Sequence, residues 1–194
     1  MKKIILTVFA ASSLLLYSTP SFAISLSVGV PIGATFTGPA DANGNKTESD
    51  GISGYFLGVQ LPFGLGLGMD SHKTKIKGTT GSGEQKVATS MYNLYYQLPV
   101  PVVSLIFGLG TGNTNLDCAD LYGGDGDSVV SCDAAYDKGA ATQWYTSIGF
   151  PLIPLFDIHL SYRSITSKNV KEKGGSDKPD LSSTITGIGL AFNF

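Results

Sequence analysis

Gly187-Ile-Gly-Leu-Ala-Phe-Asn-Phe194 closes the chain, and its spacing decides the fold. Ile188, Leu190, Phe192 and Phe194 occupy every second position, with Gly187, Gly189, Ala191 and Asn193 between them. Period two is the signature of a strand whose two faces meet different surroundings. Read upstream, the segment adds Thr186 to the bulky set and Ile185 to the small one. A chain end in water frays, so an end this apolar and regular needs a partner surface.

The same alternation recurs along the chain. Ile24, Leu26, Val28, Val30, Ile32, Ala34 and Phe36 form one face of a first strand, against Ser25, Ser27, Gly29, Pro31, Gly33 and Thr35. A second sets Tyr55, Leu57, Val59, Leu61 and Phe63 against Gly54, Phe56, Gly58 and Gln60, and a third sets Leu65, Leu67 and Met69 against Gly66, Gly68, Asp70 and His72. The fourth has Tyr92, Leu94, Tyr96 and Leu98 opposed by Met91, Asn93, Tyr95 and Gln97; the fifth has Val103, Leu105, Phe107 and Leu109 opposed by Ser104, Ile106, Gly108 and Gly110. In the sixth, Trp144, Thr146, Ile148 and Phe150 face away from Gln143, Tyr145, Ser147 and Gly149; in the seventh, Phe156, Ile158, Leu160 and Tyr162 alternate with Asp157, His159, Ser161 and Arg163. With the terminal segment this makes eight strands, and no helical period.

The connections alternate in length. "LPFG", "LPVPV" and "FPLIP" are short and proline-centred, whereas "GPADANGNKTESDG", "KGTTGSGEQK", the stretch from Asn113 to Lys138 and "SKNVKEKGGSDKPD" are long and polar. Short turns therefore lie at one end and long loops at the other.

The opening residues bound the compartment. Lys2 and Lys3, an apolar stretch from Ile4 to Tyr17, Pro20 and the run Ser21-Phe22-Ala23 predict a secretory signal peptide over residues 1–23, leaving one domain over 24–194. The mature part has 11 basic and 15 acidic residues, which gives no reason to expect a nucleic-acid partner. After Ala23 no apolar run approaches the length of a transmembrane helix. Cys118 and Cys132 flank a Gly- and Asp-rich stretch, and an exported protein makes a disulfide between them the expectation. Two thiols without a neighbouring His do not make a zinc site, and no metal or cofactor is expected.

An even number of alternating strands, short turns at one end and long loops at the other describe an all-β, closed, eight-stranded antiparallel up-and-down transmembrane barrel. Lipid cannot satisfy an open sheet edge, so the eighth strand must pair with the first. The alternate face carries Asp70, His72, Asp157, His159 and Arg163, residues costly against lipid, together with many glycines that suit a narrow lumen. The apolar face therefore points outward. Tyr55, Tyr92, Trp144 and Tyr162 toward the long loops, and Phe63, Phe150, Phe156, Phe192 and Phe194 toward the short turns, are candidate interfacial girdles.

On these features, and on the ending "TGIGLAFNF", the chain resembles the small bacterial outer-membrane barrels grouped around OmpX, OmpW and the transmembrane domain of OmpA. The resemblance implies an outer-membrane monomer in contact with lipid, its termini periplasmic and its long loops extracellular. It further implies that Leu190, Phe192 and Phe194 carry the signal read by the barrel-assembly machinery.

The sequence offers several functional readings. Asp70, His72, Asn93, Tyr95, Gln97, Gln143, Tyr145, Asp157, His159 and Arg163 are expected to form a polar lumen network, with Asp70 and His159 at comparable heights on facing strands. Such a network fills and closes the lumen, or leaves a very narrow path. The extracellular loops are then the surface that meets an external ligand. As an alternative, His159 and Ser161 resemble the His-x-Ser of outer-membrane lipid A deacylases, with Glu172 the acid to be sought downstream. Tyr162, Arg163 and Ser164 depart from that family's following residues, and the register turns His159 and Ser161 inward. A second alternative, an OmpW-like conduit for small hydrophobic molecules, would need an apolar lumen near the outer mouth, whereas the inward residues are mainly Gly, Ser and polar groups, with isolated Ile106, Phe56 and Met91.

Overall fold

The computed structural model describes residues 24–39, 44, 46–77, 85–98, 100, 103–118, 121–122, 129–130, 136–153, 155–168, 170–173 and 179–194. The expected signal peptide and Cys132 lie outside these residues, as do the side chains of Cys118 and Glu172. Eight strands form one closed antiparallel barrel: β1 Ser25–Phe36, β2 Ser49–Gln60, β3 Leu65–Ile76, β4 Gln85–Leu98, β5 Ser104–Cys118, β6 Gly139–Ile153, β7 Phe156–Thr166 and β8 Ser183–Asn193. Each pairs with its chain neighbours, and β8 returns to β1 in a ladder from Ser25↔Asn193 to Phe36↔Ser183. The terminal Phe194 N–H donates to the Ile24 carbonyl at 2.9 Å, which ties the chain end into the sheet. Among the described residues no helix is long and apolar enough to cross a membrane.

Around the barrel's waist the outer face is apolar. Leu190 is 41% exposed, Phe107 54% and Leu109 70%, and they continue into Leu26, Val28, Leu57, Leu94 and Leu160. A water-soluble monomer rarely leaves so continuous an apolar surface bare; a barrel in hydrocarbon requires it. Trp144 and Tyr162 meet in a tilted contact at 5.7 Å on the loop side, and Phe156 meets Phe192 edge-on at 4.8 Å on the turn side.

Every strand except β1 runs further toward the long loops than the alternation suggested, and there the pattern inverts. Val87, Leu116, Ile165 and Ile185 point inward and are buried, while Lys73, Lys75 and Thr166 point outward. The cause is the change of solvent. Beside hydrocarbon the polar groups turn to the axis, whereas beyond the belt the outside is water and the hydrophobic effect drives apolar groups inward.

Local irregularities correct two expectations. Ala34 and Phe36 do not continue the outward row of β1, because the pairing with β8 slips between Pro31 and Gly33. One extra residue reverses the faces beyond it, so Phe36 is buried and Ala34 packs inward. Phe63 is not part of β2 but sits in a single 3₁₀ turn, Pro62–Gly64, at φ 69°, with its side chain exposed. The β1–β2 ladder covers only Ser25–Gly29 against Phe56–Gln60. Above it the Ser49 hydroxyl donates to the Ala34 carbonyl at 2.5 Å, bridging the two strands.

The long loops are partly organised. Leu121–Tyr122 pairs with Val129–Val130 within the third, and Tyr136–Asp137 pairs with Lys171–Glu172, which joins the third loop to the fourth.

Candidate functional site: the barrel lumen

The lumen is assembled from the inward face of every strand. Its middle layer is built on Asp70 of β3, which is 1% exposed. Its two oxygens meet different strands: Gln143 Nε2 of β6 donates to Oδ2 at 2.6 Å, and Arg163 Nη2 of β7 donates to Oδ1 at 3.4 Å, with Arg163 Nε 3.3 Å from Oδ2. Gln143 Nε2 also reaches Asn93 Oδ1 of β4 at 2.6 Å. The guanidinium carbon lies 3.8 Å from the Phe56 ring centroid and 4.5 Å from that of Tyr145. A buried charge is tolerated only when paired and hydrogen-bonded, and this layer brings four strands together to do so.

A second polar layer lies nearer the short turns. Gln97 Nε2 donates to Ser104 Oγ at 3.2 Å, and Ser104 Oγ donates to Asp157 Oδ2 at 3.2 Å. His159 lies on the same side, with Nε2 3.9 Å from Asp157 Oδ2 and Nδ1 3.4 Å from Ser147 Oγ, which itself donates to the Leu160 carbonyl at 3.1 Å. Between the layers is a cavity of about 60 Å³ whose lining includes Asp70, Tyr95, Tyr145, His159, Ser161 and Arg163.

Asp70 and His159 thus border one cavity without pairing. The partner of Asp70 is Arg163, four residues beyond His159 on β7. Strands in a closed barrel are tilted and staggered, so equal counts from the turns do not give equal heights. His72 stands apart, in an edge-on contact with Phe56 at 6.4 Å.

Large inward rings are accommodated by glycine on the neighbouring strand. A Cβ on Gly66, opposite Tyr95, or on Gly108, opposite Tyr145, would fall inside the paired ring, and one on Gly149 would strike the His159 imidazole. These glycines act by occupying no space, and they let aromatic rings lie flat across a narrow bore.

Toward the outer mouth the lumen is mixed: inward polar groups such as His72, Thr74, Thr89 and Thr114 are there, and two buried apolar clusters are packed among them. Phe56, Met91, Ala141, Ile165 and Ile185 form one buried cluster that starts at the level of Asp70, whose cross-strand partners are Phe56 and Met91. Phe36, Val87, Leu116, Val170 and Leu181 form a second, with Ile76 and Tyr136 packed against it. Val170 and Leu181 belong to the fourth long loop, which dips into the mouth and is held by Leu181 N–H to the Ser167 carbonyl at 2.9 Å and Thr37 N–H to the Ser182 carbonyl at 2.8 Å. The alternation already turns Phe56, Met91 and Ile185 inward; what it misses are the loopward residues Val87, Leu116, Ile165, Val170 and Leu181. Their signal is a change of parity among the apolar residues: Val87 stands with Met91 on odd numbers where Tyr92, Leu94 and Tyr96 of the belt stand on even ones. On the rim outside, Lys77 Nζ meets Glu48 Oε2 at 2.7 Å, and this cation holds the Glu48 carboxyl below its ordinary pKa.

The hydrolase constellation does not assemble toward lipid. His159 and Ser161 both border the enclosed cavity, and the hydroxyl beside the imidazole is that of Ser147 rather than Ser161. Glu172 has its backbone in the short Lys171–Glu172 strand on the loop side. An acyl chain in the membrane would meet the opposite face of β7.

No family model and no curated protein matches the chain by sequence. Solved structures do match by fold. The Neisserial surface protein A superposes with TM-score 0.60 at 14% identity, covering 89% of this chain and 96% of that one. The outer membrane protein OprG of Pseudomonas aeruginosa gives 0.52 at 12% identity over 90% and 97%. Ail, the attachment invasion locus protein of Yersinia pestis, gives 0.52 at 17% over 89% and 97%. With its closed eight-strand sheet, apolar belt and filled bore, this chain has the fold of the small outer-membrane β-barrels.

Proposed function

We propose that the protein is a monomeric outer-membrane barrel whose working surface is its extracellular crown of loops and whose lumen is closed. In this reading residues 1–23 are removed on export, the barrel-assembly machinery reads Leu190, Phe192 and Phe194, and the termini face the periplasm. The observation that supports a closed lumen is the stack of obstructions along the axis: the Gln97–Ser104–Asp157 layer, the Asp70–Arg163 layer and two apolar clusters, the outer one including residues of the fourth loop. Hydrated ions would have to shed water to pass these packed layers, a cost that isolated hydroxyls such as those of Thr74, Thr89 and Thr114 do not offset. Planar-bilayer recording of the refolded protein tests it. Quiet traces with at most small, rare events are expected, and sustained porin-sized openings would reject it.

One observation favours a second reading, the OmpW-like conduit: the outer half of the lumen holds a buried apolar cluster that includes Met91, Ile165 and Ile185, beside hydroxyls such as those of Thr89 and Thr114. A conduit predicts saturable binding of a small hydrophobic fluorophore that is abolished by Met91→Lys, whereas a closed barrel shows none.

A further inference from the structure

We propose that the lumen holds a blind pocket, reached from the short-turn end, for a small monocarboxylic acid such as acetic acid, which binds as a carboxylate and a proton on separate groups. Cross-strand register makes the room. On β7, His159 lies opposite Gly149 and Gly189, and Ser161 opposite Ser147 and Gly187, while Gly29 of β1 faces Gly189. Small residues thus line one side of the bore where Tyr95 and Tyr145 fill the other, and the cavity of about 60 Å³ lies between them. That is room for roughly four water-sized groups, the bulk of an acetate ion. A smaller cavity of about 10 Å³ shares Tyr95 and His159 with it and extends toward the short turns, between Ser25, Gln97, Asp157 and Asn193. In the other direction the Asp70–Arg163 layer closes the space.

Two groups lining this cavity, Arg163 at 6% exposed and His159 at 9%, carry unmet demands of opposite kind. Arg163 turns its Nε–Nη2 edge to Asp70, at 3.3 and 3.4 Å, and Nη1 has no hydrogen-bond partner among the described residues. That donor calls for an oxygen acceptor, and a carboxylate suits a guanidinium edge. His159 is the converse. Ser147 Oγ has one proton and gives it to the Leu160 carbonyl, so toward His159 Nδ1 it can only accept. The imidazole proton therefore sits on Nδ1. Nε2 is left as a lone pair with no hydrogen-bond partner among the described residues, 3.9 Å from Asp157 Oδ2. Two acceptors facing one another call for a proton.

A bare anion would add charge to a site where Asp70 and Asp157 already stand against one Arg163, and a buried uncompensated charge is costly. An acid brings its own compensation. Its O–H bond breaks, the proton goes to the lone pair of His159 Nε2 beside Asp157, and the carboxylate left behind accepts from Arg163 Nη1, with Ser161 between the two on the same face of β7. The net charge of the site is unchanged. The ionisable groups that share the two cavities with His159 are Asp70, Asp157, Arg163, Tyr95 and Tyr145, and the linings from β8, β1 and β2 contribute none.

The test titrates isotope-labelled acetate into the refolded protein in phosphatidylcholine nanodiscs, with acetamide as the neutral isostere and binding read by NMR. Because a proton accompanies each carboxylate, acetate affinity should fall about tenfold for each unit rise in pH near neutrality, and acetamide should show no such slope. His159→Gln can hydrogen-bond but cannot take up the proton, and should remove the slope. Ser161→Val fills the space with methyl groups and should abolish binding, whereas Lys73→Gln on the outer face should change neither. Heat-modifiable gel mobility shows first that each variant is folded, so that lost binding is not lost structure. Absence of saturable acetate binding to the folded protein, an affinity independent of pH, or wild-type behaviour in both lumen variants overturns the proposal and leaves ordered water as the content of the cavity. Approach from the periplasm rests on the orientation proposed above; a nanodisc exposes both ends of the barrel, so failure of that orientation and failure of the site are separate results.

Discussion

Replacing Arg163 by Met removes the only Arg or Lys that lies in the lumen among the described residues and leaves Asp70 buried with Gln143 as its close donor. Two contacts to the carboxylate, at 3.3 and 3.4 Å, are lost together with the cation–π contact to Phe56 at 3.8 Å. Breaking a buried pair from one side costs about 3–5 kcal/mol, because the surviving charge is stranded. Asp70→Asn strands the guanidinium in the same way, although the aromatic faces of Phe56 and Tyr145 offset part of that loss by about 1–2 kcal/mol. The double variant Asp70→Asn/Arg163→Met strands neither. It should lie within about 2 kcal/mol of wild type, since a buried pair and a packed neutral replacement are often close in free energy. The expected coupling is therefore at least about 2 kcal/mol, well above the error of additivity for independent sites. Reversible urea unfolding in lipid bilayers measures it, with Trp144, the single tryptophan, as the reporter on the outer face. Single variants whose losses simply add in the double would refute the claim that Asp70 and Arg163 neutralise one another across the bore.

Other outcomes follow from local packing. Gly108→Ala places a methyl inside the Tyr145 ring and should destabilise by about 1–3 kcal/mol, the usual range for overpacking; the same substitution in a Tyr145→Ala background should cost much less, and an equal cost in both would show that the ring is not the obstacle. Phe63 sits at φ 69°, where Asn is tolerated better than an aromatic residue. Phe63→Asn should stabilise the barrel by up to about 1 kcal/mol in detergent, and a clear loss would show that the exposed ring matters more than the backbone. For the expected Cys118–Cys132 bond, thiol labelling before and after reduction gives the pairing. If the bond is present, reduction should lower stability by about 3 kcal/mol on the loop-entropy argument, and full labelling without reductant would exclude it.

The sequence by itself determined the closed eight-strand sheet and which face meets hydrocarbon. Strict alternation in "GIGLAFNF" and its seven counterparts leaves one arrangement once lipid forbids a free edge, and the residues that must avoid lipid, such as Asp70 and Arg163, each stand opposite the apolar row of their own strand. Local pattern also marks the short turns, each of which carries proline. Three matters were decided only in the tertiary structure. Which polar group meets which depends on stagger between strands that are remote in sequence, so Asp70 finds Arg163 and Gln143 rather than His159. A single inserted residue near Ile32 turns Phe36 from the outer face to the inner one, and alternation within one strand cannot register a slip against its neighbour. The apolar outer mouth arises because the barrel outgrows the membrane: above the belt the solvent changes from lipid to water, so the same period-two code reverses its meaning, and Val87, Leu116, Ile165 and Ile185 become core.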